Sequence, residues 1–419
     1  MLNQAPVLIA GGGIAGLTLA LSLHELGIPF RVFEAVRELK PLGVGINLQP
    51  MAVRELIEMG LEPALDEAGL RTEEVAYFNR FGQEIWREPR GLAAGNAWPQ
   101  FSIHRGGLQM ALLRALIDRA GDQVFVPGAA VTGWREGAEG IEISLADRAT
   151  GADLGTATGS ILIGADGINS TIRAALYPDE GPAHWGGTMM WRGVTFAPQF
   201  LTGRTMAMIG TKAVKFVCYP IADAPEGSLV NWIADLTMPK GHDWLAQDWN
   251  RPGDPADFAH HFADWRFDWL DVPALIRQAQ GIWEFPMVDR EPLPRWSFGP
   301  VTLMGDAAHA MYPIGSNGAS QGIIDARILA RELRDRGAGS EALAAYDDTR
   351  REAVNKVVLA NRGDGPDRVL DIVAERAPDG FDDIETVMPH AERQALADSY
   401  KALAGMRIDE LNRRPSILG

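Results

Sequence analysis

Val7-Leu8-Ile9-Ala10-Gly11-Gly12-Gly13-Ile14-Ala15-Gly16, read on to Glu34, is the stretch that decides the fold. Val7–Ala10 is short and apolar throughout, the pattern of a parallel strand covered on both faces. Ile14 to Leu26 carries helical spacing, and Gly27-Ile28-Pro29 stops it. Phe30-Arg31-Val32-Phe33 is a second strand that ends in Glu34. Strand, helix and strand make a βαβ unit, and Gly11-x-Gly13-x-x-Gly16 falls where the strand hands over to the helix. In that position the first glycine makes the tight turn, the second lets a pyrophosphate approach the backbone, and the third lets helix and strand pack closely. The helix N-terminus offers free N–H groups and a favourable dipole to phosphate. Glu34 suits a bidentate hydrogen bond to a ribose. The motif predicts a dinucleotide and does not choose between FAD and NAD.

Two later stretches make that choice. Ser160-Ile161-Leu162-Ile163 reads as a central strand and runs into Gly164-Ala165-Asp166-Gly167. Pro300-Val301-Thr302-Leu303-Met304 reads as another and runs into Gly305-Asp306-Ala307-Ala308-His309. No second Gly-x-Gly-x-x-Gly follows a strand, so nothing marks a dedicated nicotinamide domain. Asp306, at the end of a late strand, can hold the ribityl hydroxyls of a flavin. The turn Gly315-Ser316-Asn317-Gly318-Ala319 opens a helix running to Arg334, and its N–H groups can stabilise negative charge on a reduced isoalloxazine. Together the three turns point to FAD.

The chain has 419 residues, room for two domains or for one with a large insertion. It carries 39 basic and 55 acidic side chains, a net charge of −16 that repels nucleic acid and anionic lipid alike. Cys218 is the one cysteine, so no internal disulfide and no redox-active cysteine pair exist, and a reducing cytoplasm is expected. Val7 to Leu23 is uncharged, but no basic residue precedes it and its glycines fall at motif spacing, which argues against a targeting or membrane segment. Asn169-Ser170-Thr171 matches a glycosylation acceptor with nothing else to suggest secretion.

Further along, Arg54 to Met59 and Leu108 to Ala120 read as helices, and Val75 to Trp86 as antiparallel strands. Val124 to Trp134 and Gly140 to Leu145 suggest a β-meander. From Trp185 to Trp296 the chain is rich in tryptophan and short β-like runs such as Lys215 to Tyr219 and Leu229 to Ala234, a separate mixed layer. Helices follow at Leu343 to Leu359 and near Glu392 to Ala404. The predicted class is α/β: a Rossmann-like FAD-binding domain over 1–75, 100–184 and 297–360, an inserted mixed β-sheet domain over 76–99 and 185–296 for substrate, and a C-terminal helical tail over 361–419.

The three glycine stretches resemble the fingerprints of the single-component flavoprotein aromatic hydroxylases, the para-hydroxybenzoate and salicylate hydroxylase superfamily with its GR2-type FAD-binding fold, over nearly the whole chain to about residue 360. Pro41-Leu42-Gly43-Val44-Gly45-Ile46-Asn47, Ile103-His104-Arg105-Gly106, Met190-Trp191-Arg192-Gly193 and Tyr312 to Gln321 are similar to the phenazine hydroxylases among them. Beyond Asn361 the chain departs from that pattern. The resemblance implies that Gly11, Gly13, Gly16 and Glu34, with Ile14, Ala15, Ala35 and Val131 beside them, hold the ADP half of FAD. It implies that Arg105 and Gln109 reach the pyrophosphate or ribityl chain. Asp166 and Gly167 belong to a motif with FAD and NAD(P)H duties, and Asp306 binds the ribityl chain. Gly315, Asn317, Gly318 and Ala319 border the flavin ring, and Val44 and Gly45 lie where the flavin swings between positions. The activity implied uses NADH or NADPH as a transient co-substrate and O2, which adds at flavin C4a to give a hydroperoxide whose distal oxygen an electron-rich ring attacks.

On the substrate side, inward residues of the inserted layer roof the flavin, with Arg192, Tyr219, Trp232 and Pro313 as pocket candidates. Met189, Met190, Met206 and Met208 read as core filling. No residue stands out as a catalytic base; Tyr219 or His309 could tune a phenol, although His309 reads better as support for its loop. The adjacent pair His260 and His261 has poor ligand geometry, so no metal is expected, and no Gly-x-Ser-x-Gly elbow supports hydrolysis. The expected partner is a small aromatic or heteroaromatic molecule, with the protein a monomer or homodimer. Baeyer–Villiger or epoxidising oxygenation on the same fold, a flavin-binding protein without turnover, and a dehydrogenase using NAD alone remain as alternatives.

Overall fold

The computed structural model describes residues 5–41, 44–137, 140–244, 251–363 and 365–419. Leu42 and Gly43, from the glycine-rich stretch read near the flavin ring, lie outside them.

The βαβ opening forms as its sequence dictates. Val7–Ala10 sits inside a six-stranded sheet, flanked by Phe30–Glu34 and Leu162–Gly164, with Phe125–Pro127 and Val301–Leu303 outside these. These five strands are parallel, and a two-residue antiparallel strand, Ser297–Phe298, closes one edge. Val7, Leu8 and Ile9 are fully buried, which only a strand covered on both faces allows. Helices Ile14–Glu25, Arg105–Ala120, Gly318–Arg336 and Ser340–Arg362 pack around this sheet. A three-stranded meander, Ala130–Gly137, Gly140–Ala146 and Asp153–Gly159, shares its core through Ile141, Ile143 and Leu145. The architecture is mixed α/β.

The second large unit is an eight-stranded sheet. Its order runs from Arg251–Pro252 through Ile282–Asp289, His184–Ala197, Gly227–Thr237, Val214–Ala224 and Thr205–Gly210 to Glu74–Phe78 and Glu84–Pro89. Alternation divides its residues between two faces. One face buries Trp191, Phe216, Cys218 and Trp232 against Phe258, Phe262, Val272 and Leu275. The other packs Val75, Tyr77, Met206, Met208, Val217 and Tyr219 against Val369, Leu370, Val373 and Met388 from the C-terminal segment. A small antiparallel sheet of Gly45–Leu48, Gln100–His104 and Gly69–Thr72 lies between the units.

Two expectations change. Val124 to Trp134 is not one run: Gly128, at φ +76°, turns the chain so that Phe125–Pro127 joins the parallel sheet while Ala130–Gly137 joins the meander. The helix expected from Leu108 begins at Arg105, because the His104 Nδ1 accepts the Gly107 N–H at 3.1 Å and caps it. The small sheet and helix Glu62–Ala68 went unread, since each piece is too short for a period to show.

Candidate active site

The three glycine turns converge. A Cβ on Gly11 would come within 2.3 Å of the Ala165 carbonyl oxygen, so only glycine lets the first turn lie against the middle one. A Cβ on Gly16 would meet the Gly11 oxygen at 2.1 Å, the close helix–strand contact expected of the third glycine. Ala15 faces the late turn, 3.0 Å from where a Gly305 Cβ would stand and 3.2 Å from where one on Gly322 would. Arg173, fully buried after the middle turn, donates to the carbonyls of Ala307 at 3.1 Å and Ala308 at 2.9 Å and so ties the second turn to the third.

The residues present fit FAD. A Cβ on Gly13 would meet nothing within 4 Å, so the protein's own packing does not demand glycine there; it leaves the N-terminus of helix Ile14–Glu25 bare for a pyrophosphate. The Glu34 carboxylate accepts N–H groups of Gly12 at 2.7 Å and Val36 at 2.8 Å, which holds it across the first turn beside half-buried Ala35, each oxygen keeping a lone pair. The Gln109 amide donates to the Gly12 carbonyl at 2.8 Å. Asp306 is exposed at the start of a one-turn helix, and Arg105 is exposed at the start of its own. Both are charged groups that ion-pair with no other described residue.

Asp166 does more than the sequence suggested. Its Oδ2 accepts the Thr171 N–H at 2.9 Å at the start of helix Thr171–Leu176, and the one hydrogen of the Thr171 hydroxyl is shared between that oxygen at 3.1 Å and the Val131 carbonyl at 2.9 Å. Its Oδ1 is buried without a partner, and burial raises its pKa against the hydrogen bonds of Ser170 and Thr171. Gly167, at φ +81°, turns the chain after it.

Behind the late turn is a group that sequence reasoning missed. Asp325, fully buried in helix Gly318–Arg336, accepts the Gly305 N–H at 3.0 Å, His309 Nε2 at 2.5 Å and Arg350 Nε at 2.8 Å. Burial would raise its pKa, but the charges of His309 and Arg350 outweigh this and pull it down to about 2. His309 is thus engaged in holding the loop. An acid in the middle of the apolar run Gly322-Ile323-Ile324-Asp325-Ala326 was the signal available.

The clamp on Gly45 joins the two units. Arg192 Nη2 and the Tyr219 hydroxyl each donate to the Gly45 carbonyl at 2.7 Å, and the Gly45 N–H donates to Asn231 Oδ1 at 2.6 Å. A Cβ on Gly45 would stand 2.8 Å from that of Asn231, so the strand is pressed onto the sheet. Val44, also buried, accepts the Arg105 N–H at 3.0 Å. Burial lowers the pKa of Arg192 and pushes that of Tyr219 up to about 12 against the opposing charge of Arg192. Tyr219 therefore stays a donor and cannot serve as a base near neutral pH. Trp232 leaves the list of pocket candidates: it pairs with Gly193 and Cys218, one position out of step with Arg192 and Tyr219, and is buried on the opposite face with its indole N–H donating to Thr195 at 2.9 Å.

The turn Gly315–Ala319 is held from two sides. Gln49 donates its amide to the Gly315 carbonyl at 3.3 Å and its backbone N–H to Ser320 at 3.0 Å. From the C-terminal helix His390–Leu403, the Tyr400 hydroxyl accepts from the Asn317 amide at 2.8 Å and donates to Asn361 at 3.0 Å. Gly318 and Ala319 begin the helix, half-buried, and Pro313 is exposed just before the turn. Asn231, Gln49, Asn361 and Tyr400 carry no sequence signal for these roles, because each acts across more than 80 positions or as an ordinary polar residue in a strand or helix.

Three glycine turns built for a dinucleotide, with a sheet clamped over them, define a flavin-dependent monooxygenase of the aromatic-hydroxylase type. Comparison with known proteins agrees in class. The chain belongs to the family described as FAD binding domain, whose model matches residues 4–361. It is 43% identical over 371 residues to phenazine 1,6-dicarboxylic acid hydroxylase PhzS of Lysobacter antibioticus, covering 86% of this chain and 90% of that one. It is 33% identical to an aurachin C monooxygenase/isomerase of Stigmatella aurantiaca, over 85% of this chain and 87% of that one. Its fold matches that of a salicylate hydroxylase in a substrate complex, with a TM-score of 0.74, 24% identity and 99% of both chains covered. Among the described residues no helix is long and apolar enough to cross a membrane.

Proposed function

We propose that this protein hydroxylates a planar, carboxylated aromatic molecule of the phenazine class, consuming NADH or NADPH and O2. The similarity to the Lysobacter hydroxylase supports the substrate class. The observation that carries the reading is the double attachment of residues 45–49. One end is clamped to the inserted sheet by Arg192, Tyr219 and Asn231, and the other reaches the turn at Gly315 through Gln49. A ring lying between that sheet and the turn is thereby held in one orientation relative to a flavin in the dinucleotide site.

Bound FAD supplies hydride acceptance from NAD(P)H and activation of O2, one oxygen atom going to the ring and the other to water. Gly11, Gly13, Gly16 and Glu34, with Ile14, Ala15, Ala35 and Val131, hold its ADP half, and Arg105, Gln109 and Asp306 its pyrophosphate and ribityl chain. Gly315, Asn317, Gly318 and Ala319 would border its ring, with Val44, Gly45 and Pro313 near the ring on the substrate side. Asp166 and Gly167 shape the middle turn beside it. The same reading divides the chain into a discontinuous FAD-binding domain (1–75, 100–184, 297–360), the inserted substrate sheet (76–99, 185–296) and the tail (361–419).

The test is NADH and NADPH consumption by the purified yellow protein with neutral phenols, phenazine and phenazine carboxylates, with products analysed under isotopically labelled O2. A ring that stimulates consumption and returns carrying one labelled oxygen is the expected result. No stimulation by any ring, or a labelled lactone or epoxide, overturns it.

A further inference from the structure

The C-terminal segment and the edge of the inserted sheet enclose a cleft whose chemistry the family fingerprints do not account for. An outer chamber of about 240 Å3 opens beside the start of helix Pro50–Glu58 and continues into a narrower inner one of about 40 Å3 that ends at Gly315 and Ser316. Glu88, Arg90, Gln100 and Lys401 line both, so the two form one route from the surface to the turn that borders the dinucleotide site.

Two features mark it as a built site. Tyr77 and Gln100 line it at 2% and 3% exposure, yet the Tyr77 hydroxyl and the Gln100 side-chain amide hydrogen-bond to no described residue. Both polar groups keep access to water within the cleft, so a ligand that enters it can take that water's place. The second feature is charge. On a chain of net charge −16 the cleft holds the cations Arg90, Arg393 and Lys401 against one carboxylate, Glu88. Glu88 bridges the walls, accepting from Arg90, just past the end of its strand Glu84–Pro89, and from Lys401 of helix His390–Leu403 at 2.5 Å. Arg393 is committed elsewhere, to the Ile85 carbonyl and Glu385. Within the cleft the cations Arg90 and Lys401 thus share the single carboxylate of Glu88, all three side chains largely out of water, while the other acid near Lys401, Asp398, stands 3.9 Å away and exposed to solvent. An anion has those two cations to meet, and a flat ring has Tyr77, Met206 and Met208 to lie against.

We propose that this cleft is the recognition site for the carboxylate of an aromatic acid, with Arg90 and Lys401 as its cationic pair, Glu88 as the internal counter-ion that sets its selectivity, and Tyr77 and Gln100 as hydrogen-bonding groups further in. The C-terminal segment, which lies beyond the stretch that the family model matches, is on this account a specificity element. The inference rests on the aromatic-hydroxylase reading above, and it adds where the acid group is read.

The experiment titrates the FAD-loaded protein with phenazine-1,6-dicarboxylate and with unsubstituted phenazine, following the flavin absorbance. Arg90→Gln and Lys401→Gln are each expected to weaken the dicarboxylate about tenfold while changing phenazine by less than about twofold, as loss of one charge-assisted contact requires. Glu88→Gln is expected to act in the opposite direction, tightening the dicarboxylate about threefold, an outcome that damage to the fold does not produce. Equal effects on both ligands, or a weaker dicarboxylate in Glu88→Gln, overturn the cleft. Wild-type NAD(P)H consumption separates the two ideas. If neither ring stimulates it, the hydroxylase reading fails; if a ring does and the charge variants fail to discriminate, only the cleft proposal fails.

Discussion

At Gly315 the backbone sits at φ +72°, and a Cβ there would stand 1.8 Å from the Tyr400 hydroxyl. Two separate costs follow from one methyl group: left-handed backbone disfavours any L side chain by about 1–2 kcal/mol, and Tyr400 must leave. Its departure breaks the hydrogen bonds to Asn317 and Asn361 that hold the turn. Gly315→Ala is therefore expected to weaken FAD binding at least about tenfold, measured by fluorescence of released flavin, and to lower the melting temperature. Tyr400→Phe keeps the ring and removes only the hydroxyl, so about 1–2 kcal/mol of stability is expected to go, with smaller loss of flavin. Wild-type flavin affinity in Gly315→Ala would show that the turn does not border the cofactor. The neighbouring Ser316, also left-handed at φ +55°, shows that the chain is held in this shape by its surroundings and not by glycine alone.

Helices Ile14–Glu25, Pro50–Glu58 and Gly318–Arg336 meet around one buried cation. Arg327 donates to Glu25 at 2.8 Å, to Glu55 at 3.2 Å and to the Ser22 hydroxyl at 3.3 Å. Burial, with Glu58 adding to it and Arg327 opposing, raises the Glu55 pKa from 4.5 to about 7. The folded protein then keeps a proton that the unfolded chain releases, so stability falls as pH rises from about 4.5 to 7 and levels off above. The shift is worth on the order of 3 kcal/mol. Glu55→Gln is expected to flatten that dependence, gaining on the wild type at pH 8 and not at pH 4.5, as urea unfolding at the two pH values would show. A variant that loses more at pH 8 than at pH 4.5 would mean that the ion pair with Arg327 outweighs the burial. The long helices were legible because their apolar period persists over several turns. The buried charges of Glu55 and Arg327 were not: in sequence they look like the solvated face of the same helices, and only packing reveals which side they occupy. Gly45–Leu48 was illegible for a different reason, since its strand exists only through partners more than twenty positions away.

The molecule as a whole depends on its last segment more than the sequence shows. The glycine turns and the alternation of parallel strands and helices announced the nucleotide unit, because local spacing encodes them. The role of the tail was hidden, since from Gly363 its charged, Pro- and Gly-punctuated composition resembles a surface appendage. It is instead a wall. Arg362, at the end of helix Ser340–Arg362, grips Asp289 of the inserted sheet with two hydrogen bonds of 2.7 and 2.9 Å, and the buried Lys215 of that sheet reaches Asp367 at 2.6 Å. Beyond these anchors Val369, Leu370, Val373 and Met388 cover Val75, Met206, Met208 and Val217. Each large apolar side chain so buried contributes about 1.5–3 kcal/mol, so losing four of them and exposing the face beneath costs on the order of the whole ~5–15 kcal/mol by which domains are stable. Truncation after Arg362 is therefore expected to abolish soluble, cooperatively unfolding protein. Val373→Asp, which buries one unpaired charge in the same seam, is expected to lower stability by about 3–5 kcal/mol while leaving the nucleotide unit intact enough to bind some FAD. Thermal unfolding followed separately by tryptophan and by flavin fluorescence distinguishes the cases. The aromatic residues of the inserted sheet should respond first, at a lower temperature than flavin release, and coincident transitions at the wild-type temperature would show the tail to be an ornament on a sheet that stands without it.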